Sequence, residues 1–342
     1  MRTATVLTTP MMRVDARGMG RRRKANRNRI DGWLVLDKPV GITSNDALTR
    51  LKKIFHPEKV GHAGTLDPLA SGLLPVAFGE ATKTVSFAMD GRKVYRFTVR
   101  WGEATETDDT EGAVVATSDA RPAADEIAAV LPAFTGKISQ VPPKYSAIKV
   151  DGARAYDLAR GGDEVELAAR EIDVHRLDLV ECPDRDHAVF EAECGKGTYV
   201  RALARDIAER LGTCGHVAAL RRLVVGPFDE EDMIPLETLE ELGQCAPGTG
   251  LTEAHADFIL PVETALDDIP ALAVSRQDAA RLRRGQGVLL RGRDAPAFSG
   301  LVSVTTQGEL VAIGEIERGE LLPRRVFNLA PDTSGAIIVE RT

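Results

Sequence analysis

The stretch GHAGTLDPLASG, Gly61–Gly72, places one carboxylate, Asp67, among glycines, small residues and a proline. An aspartate in such a loop can simply form a turn or cap a helix. It can also be an acid held rigid for chemistry, with His62 just before it and the apolar run LLPVAFG directly behind. Arg201 bears on the choice. It falls in the first turn of a helix expected to open at Thr198, where the positive end of the helix dipole disfavours a cation by a few tenths of a kcal/mol. A cation there either tolerates that cost in solvent or answers to a carboxylate or phosphate outside its own helix. Paired with Asp67, it would fix the charge and orientation of the carboxylate. Tyr95 lies on the apolar face of a predicted strand, as a core aromatic or as a ring that stacks on a base with its hydroxyl free. His62 could stack, hydrogen-bond or fill space.

One aspartate, one arginine and one aromatic, with no metal cluster and no Ser-His-Asp order, point to a particular reaction type. An ionised carboxylate can attack an electron-poor carbon without a general base. That suits a nucleoside, at the anomeric carbon of the sugar or at C6 of a uracil ring. Glycosidases use two carboxylates for related work, and Asp108 or Asp109 in TETDDTEG could supply the second.

These residues need elements to position them. GWLVLDKPVGITS reads as an apolar strand, Trp33 to Leu36, running into a Lys38-Pro39 turn. SNDALTRLKKIF follows as a helix with Ser44 or Asn45 as N-cap and an apolar stripe of Ala47, Leu48, Leu51 and Phe55. EATKTVSFAMD and ADEIAAVLPAF read as helices, and KVDGARAYDLARGG as a turn and helix. RKVYRFTVRWG alternates, with Tyr95, Phe97, Val99 and Trp101 on one face. REIDVHRLDLVEC and HAVFEAEC read as strands, and GKGTYVRALARDIAERLG as a glycine turn opening a strong helix. Strands that are often adjacent in sequence make this an α+β unit rather than a βαβα repeat. After about Gly226, a polar helical connection (EEDMIPLETLEELGQ) and a linker (CAPGTGLTE) lead to a small β-rich unit with strands GLVSVTT, ELVAIGEI and RRVFNL.

A chain of 342 residues suggests two domains. Its 43% hydrophobic and 28% charged residues describe a soluble globular protein. No apolar run approaches the roughly 20 residues that span a bilayer, and the N-terminus does not read as a secretory signal. Cys182, Cys194, Cys214 and Cys245 show no metal or disulfide spacing, consistent with a reducing cytoplasm. The net charge of −7 is uneven: residues 1–30 carry a surplus of +8, leaving −15 on the rest. That pattern fits an acidic body with a basic, disordered RNA tether or a solubilising leader, and RNA phosphates respond to local patches rather than to the sum.

LVLDKPVGITSND, VGHAGTLDPLASGLLPVAFGEATK, KVYRFTVRWGEATETDDTEG, QVPPKYSAIKVDGARAYDLARGG and GKGTYVRALARDIAERLG…GHVAALRRLVVGPF together resemble the TruB family of pseudouridine synthases. The resemblance implies the pseudouridine synthase fold, an α+β domain with a mixed, largely antiparallel central sheet, plus a small PUA-like β-rich domain. It places a leader at residues 1–29, a catalytic domain at 30–265 (the connecting segment being 226–265) and the RNA-binding domain at 266–342. The implied activity is isomerisation of the uridine at position 55 in the TΨC loop of tRNA, in the cytoplasm, by a stand-alone monomer without guide RNA, protein partner, membrane, cofactor or metal. Asp67 matches the catalytic aspartate, Tyr95 the tyrosine that stacks under the base and is implicated in proton transfer, and Arg201 the arginine paired with the aspartate. Asp109 matches an acid that helps hold the site. Leu220 matches an apolar wall of the base pocket, and His62 a residue that enters the tRNA loop where the flipped base has left a gap. Tyr199 packs or lines the pocket. Lys38, with Pro39, supports the site floor on the substrate-binding side with no chemistry of its own. Arg281, Arg283, Arg284, Arg291 and Arg293 are candidate phosphate contacts. An RNA chaperone, a guide-dependent relative and a uracil-releasing glycosidase are the other readings.

Overall fold

The computed structural model describes residues 27–146, 149–150, 153–154, 167–244, 253–290, 298–329 and 337–338. Most of the leader, Cys245, Arg291, Arg293, the linker CAPGTGLT and the helix expected after Ala153–Arg154 lie outside the described residues.

The larger, N-terminal unit is built on strands β1 (Arg29–Ile30), β2 (Gly32–Lys38), β3 (Val60–His62), β4 (Ala70–Phe78), β5 (Lys93–Trp101), β6 (Glu103–Thr105), β7 (Val114–Thr117) and β8 (Gly136–Gln140). The short β9 (Lys149–Val150) and β10 (Ala153–Arg154) form a hairpin, and β11 (Arg170–Asp184), β12 (His187–Cys194), β13 (Gly215–Val225) and β14 (Ile234–Pro235) follow. Nine of them make one mixed sheet in the order β14-β2-β4-β13-β5-β12-β11-β8, with β3 also paired to β4. Only β13–β4 and β14–β2 are parallel pairs within it. A strand buried on both faces reads as a continuous apolar run, which is why Leu73–Phe78 in β4 shows no alternation and is wholly buried.

One face of the sheet carries a core of Leu34, Leu36, Leu74, Val76, Phe97, Val99 and Leu220. It is covered by the helix Ser44–Phe55, through Ala47, Leu48, Leu51 and Phe55, and by the helix Val200–Arg210, through Val200, Leu203 and Ile207. The opposite face packs Trp33, Val35, Leu73 and Phe228 against Leu310, Ile313 and Phe327 of the C-terminal unit. That unit is a five-stranded sheet, β15 (Ala271–Ala273), β16 (Val288–Leu289), β17 (Gly300–Thr306), β18 (Glu309–Glu317) and β19 (Glu320–Val326), in the order β15-β17-β18-β19-β16.

Several expectations need correction. Thr43, not Ser44 or Asn45, caps the first helix: its hydroxyl accepts from Asp46 N at 3.0 Å, and Asp46 accepts in return from Thr43 N. EATKTVSFAMD is not one helix but a 3-10 turn, Gly79–Lys83, and a short α-helix, Val85–Asp90, separated by the non-helical Thr84. ADEIAAVLPAF likewise tightens from α-helix to a 3-10 turn at Leu131–Phe134, where Pro132 cannot donate to the helical ladder. The expected strand RRVFNL begins earlier, at Glu320, and ends at Val326. The expected strand Trp33 to Leu36 is longer, Gly32–Lys38, and is preceded by β1, which pairs with β20 (Ile337–Ile338).

Candidate active site

The Asp67 loop is clamped by the segment that follows β2. Ser44 is free of capping duty, and its hydroxyl donates to Leu66 O at 3.0 Å and accepts from Leu66 N at 2.8 Å. Gly41 N donates to Pro68 O at 2.8 Å, and Ala70 N to Asp67 O at 3.1 Å. Lys38, fully buried, donates from Nζ to Pro39 O and Ile42 O at 2.9 and 2.8 Å and so folds this clamp over itself. It lies beneath the site rather than on its surface. Burial pulls its ammonium down to about 8, against the raising effect of Asp67 and with a further lowering by Arg222.

Arg201 arrives from the first turn of its helix. Its Nη2 lies 2.9 Å from Asp67 Oδ2 and its Nη1 3.5 Å from Asp109 Oδ2. Nη1 also donates to Thr107 O at 3.0 Å and Nη2 to Tyr145 O at 2.9 Å. Asp109 is 1% exposed and accepts from Thr107 Oγ1 and, at 2.9 Å, from Glu111 N. Every partner a buried carboxylate requires is therefore present. Asp108 is turned inward too, toward Arg205 Nη1 at 3.2 Å, and burial raises its pKa against the opposing Arg205 charge. Neither acid is placed as a free second carboxylate, which removes the support for the glycosidase reading.

Tyr199 stands at the N-cap of the same helix. Its backbone is gripped by the buried amide of Gln140, which accepts from Tyr199 N at 2.9 Å and donates to Tyr199 O at 3.1 Å. Burial raises the Tyr199 hydroxyl pKa. Tyr95, half-buried on β5, lies close enough to Asp67 to feel its charge; burial raises its hydroxyl pKa and the Arg222 guanidinium opposes that. Leu220, on β13 opposite Phe97 and Ala70, is 8% exposed and belongs to the apolar wall behind them. His62 is not in a loop: it ends β3, opposite Val76, with a ring lowered in pKa first by burial and then by Arg222.

The structure therefore brings Asp67, Arg201, Asp109, Tyr95, Tyr199, Leu220 and Lys38 around one place, with His62 at its margin. Sequence reasoning missed Gln140 and Arg222. Gln140 opens the QVPPKYS motif but carries no local signal of its role. Arg222 sits in a strand, β13, to which the sequence reading assigned no element. Among the described residues no three His, Cys, Asp or Glu side chains converge as a metal site, and no helix is long and apolar enough to cross a membrane.

Known proteins resemble the chain over most of its length. Residues 52–200 match the N-terminal domain of TruB family pseudouridylate synthases. Residues 201–267 match the tRNA pseudouridylate synthase B C-terminal domain, and 270–327 the C-terminal domain of pseudouridine synthase II TruB. The tRNA pseudouridine synthase B of Bradyrhizobium diazoefficiens is 63% identical over 311 residues, covering 91% of this chain and 89% of that protein. That of Rhodopseudomonas palustris is 62% identical over 322 residues, 94% of this chain and 87% of that protein. A chain in the structure of an H/ACA RNP bound to a substrate RNA containing 2′-deoxyuridine is 27% identical, with a TM-score of 0.68 over 88% of this chain and 86% of that chain. The fold, the two C-terminal matches and this level of identity lead to one conclusion: the chain belongs to the TruB family of pseudouridylate synthases.

Proposed function

We propose that this protein isomerises the uridine at position 55 of the tRNA TΨC loop to pseudouridine, acting as a stand-alone monomer. The observation that carries the reading is the Asp67–Arg201 pair: a guanidinium with 7% side-chain exposure holds a carboxylate that keeps 39% of its own. The acid is fixed yet open to a ligand.

Target uridine inside a folded RNA loop has to leave its stack, at a cost of a few kcal/mol. Tyr95 stacks on the flipped ring and Leu220 forms an apolar wall, while His62 occupies the gap left in the loop. The lowered His62 pKa keeps its ring neutral at pH 7, which suits stacking among bases. Asp67 then acts on the nucleoside, the C1′–N1 bond breaks, the uracil turns, C5 bonds to C1′ and the C5 proton leaves. Arg201, with Asp109 behind it, keeps the acid ionised and aimed. Residues 266–342 serve as the RNA-binding module, and its exposed Arg281, Arg283 and Arg284 face solvent without a carboxylate partner among the described residues.

The test is incubation of the protein alone with an unmodified tRNA transcript tritiated at uracil C5. Label release, with pseudouridine mapped to position 55, supports the reading. No release with tRNA still bound returns the weight to a guide-dependent enzyme or an RNA chaperone.

A further inference from the structure

We infer that Arg222 is a positioning residue for this reaction, gripping the Tyr95 hydroxyl from behind so that the phenol oxygen is set and charge-stabilised at the pocket. The inference rests on the placement of Tyr95 in the base pocket proposed above.

Arg222 and Tyr95 are register partners on the adjacent strands β13 and β5, so their side chains leave the sheet on one face. Arg222 is 2% exposed and cannot itself meet RNA. Its Nε donates to Leu73 O at 2.7 Å and its Nη2 to Gly64 O at 3.0 Å, which ties it to the strand and loop on either side of Asp67. Guanidinium has five donors, of which these backbone oxygens take only two, and the cross-strand neighbour left for the others is Tyr95. Gly64 makes room for this: a Cβ there would lie 3.2 Å from Arg222 Nη1.

The second observation is the charge. Arg201 and Arg205, the other inward-facing arginines of the site, each have carboxylates; among the described residues Arg222 forms no ion pair at all. A buried cation without an anion is costly. The arrangement becomes favourable when an anion forms beside it, and the group placed to become one is the Tyr95 phenol. The groups that face Tyr95 are few: Asp67 from its loop, which opposes a phenolate, the buried Cys194 thiol from β12, and Arg222 from β13, the cation of the set. Donation from Arg222 into the phenol oxygen also occupies the back of that oxygen and leaves its proton, or its lone pair once ionised, directed at the pocket.

The experiment compares wild type, Arg222→Gln, Arg222→Lys, Tyr95→Phe and the double variant Arg222→Gln/Tyr95→Phe, full length, by tritium release from C5-labelled tRNA across pH, with circular dichroism as a folding control. Arg222→Gln is expected to lower kcat about tenfold or more, equivalent to about one unit in the phenol's acidity, with KM for tRNA unchanged. It is also expected to move the ascending limb of the pH–kcat profile to higher pH, whereas Arg222→Lys, which keeps the charge but loses the fork that sets the oxygen, leaves that limb in place and still lowers kcat. In the Tyr95→Phe background, Arg222→Gln should cost nothing further. An unmoved limb, a loss carried by KM rather than kcat, or a double variant that loses the product of both single effects would overturn the inference. Should Arg222→Gln not fold, Arg222→Lys decides: it keeps the charge but not the fork, and wild-type kcat in that variant overturns the claim. If wild type releases no tritium, the proposed function fails on its own. The ultraviolet titration of Tyr95, identified by difference from Tyr95→Phe, then judges Arg222 without turnover: the phenolate band must move to higher pH in Arg222→Gln, and an unmoved band refutes the hold.

Discussion

Arg201 and Asp67 meet at 2.9 Å with unequal burial: the guanidinium is almost fully enclosed, and the carboxylate is the member that opens outward. The pair is anchored by the buried Asp109 and by Thr107 O and Tyr145 O, so the orientation of the more exposed acid is set through its arginine.

Removing Arg201 therefore damages more than the reaction. Arg201→Met strands the buried Asp109 without its cation, and loss of one member of a buried pair costs about 3–5 kcal/mol. Denaturant unfolding should show that loss together with abolished tritium release. Asp67→Asn, by contrast, should abolish turnover while leaving the unfolding midpoint and tRNA binding close to wild type; substantial residual turnover in a contamination-free preparation would contradict the assignment of Asp67.

Lys38 gives a pH signature. Its folded pKa of about 8 lies below the unfolded value near 10.5. Between those limits the unfolded chain binds more protons, so stability gains as pH rises through the window and is lost as pH falls back through about 8. Unfolding midpoints of wild type minus Lys38→Met should accordingly climb from neutral to alkaline pH. A difference flat in pH would mean that the ammonium is solvated.

Two glycines with the same left-handed backbone separate strain from collision. Gly41, at φ +89°, has nothing within 4 Å of a built Cβ, whereas at Gly72, φ +94°, a Cβ would lie 2.3 Å from Arg222 O. Gly41→Ala should cost about 1–2 kcal/mol from the backbone alone. Gly72→Ala should cost at least about 1–3 kcal/mol beyond that, because two paired strands would have to separate. Chemical denaturation of the two variants checks the order.

The cap of the first helix is open to the same measurement. Thr43→Ala should destabilise by about 1 kcal/mol, while Asn45→Ala, outside the cap, should be nearly silent.

On the RNA side, neutralising Arg281, Arg283 and Arg284 together should weaken tRNA binding and flatten its salt dependence by about 2 in log Kd per log salt, if each meets one phosphate. An unchanged slope would place that helix away from the RNA.

Much of this was legible in the chain because the signals are local. Alternation around Tyr95, the apolar stripe of Ser44–Phe55 and the glycine turn before Val200 each follow from side-chain periodicity or backbone freedom within a few residues. The set Asp67, Tyr95 and Arg201 was likewise readable from residue type and motif. What the chain concealed were arrangements made across it. Thr43 rather than Ser44 became the cap because Ser44 is engaged by Leu66, 22 residues away. Gln140 gained its role only when β8 ended beside Tyr199. Arg221 and Arg222 are adjacent and of one type, so nothing local separates them. The parallel seating of β13 against β4 sends Arg221 out to Asp37 and turns Arg222 inward beneath Tyr95. Sequence by itself determined which groups could do the chemistry and which segments could hold them. Only the tertiary structure decided which neighbours each charge would meet, because burial and ion pairing depend on strand order rather than on spacing along the chain.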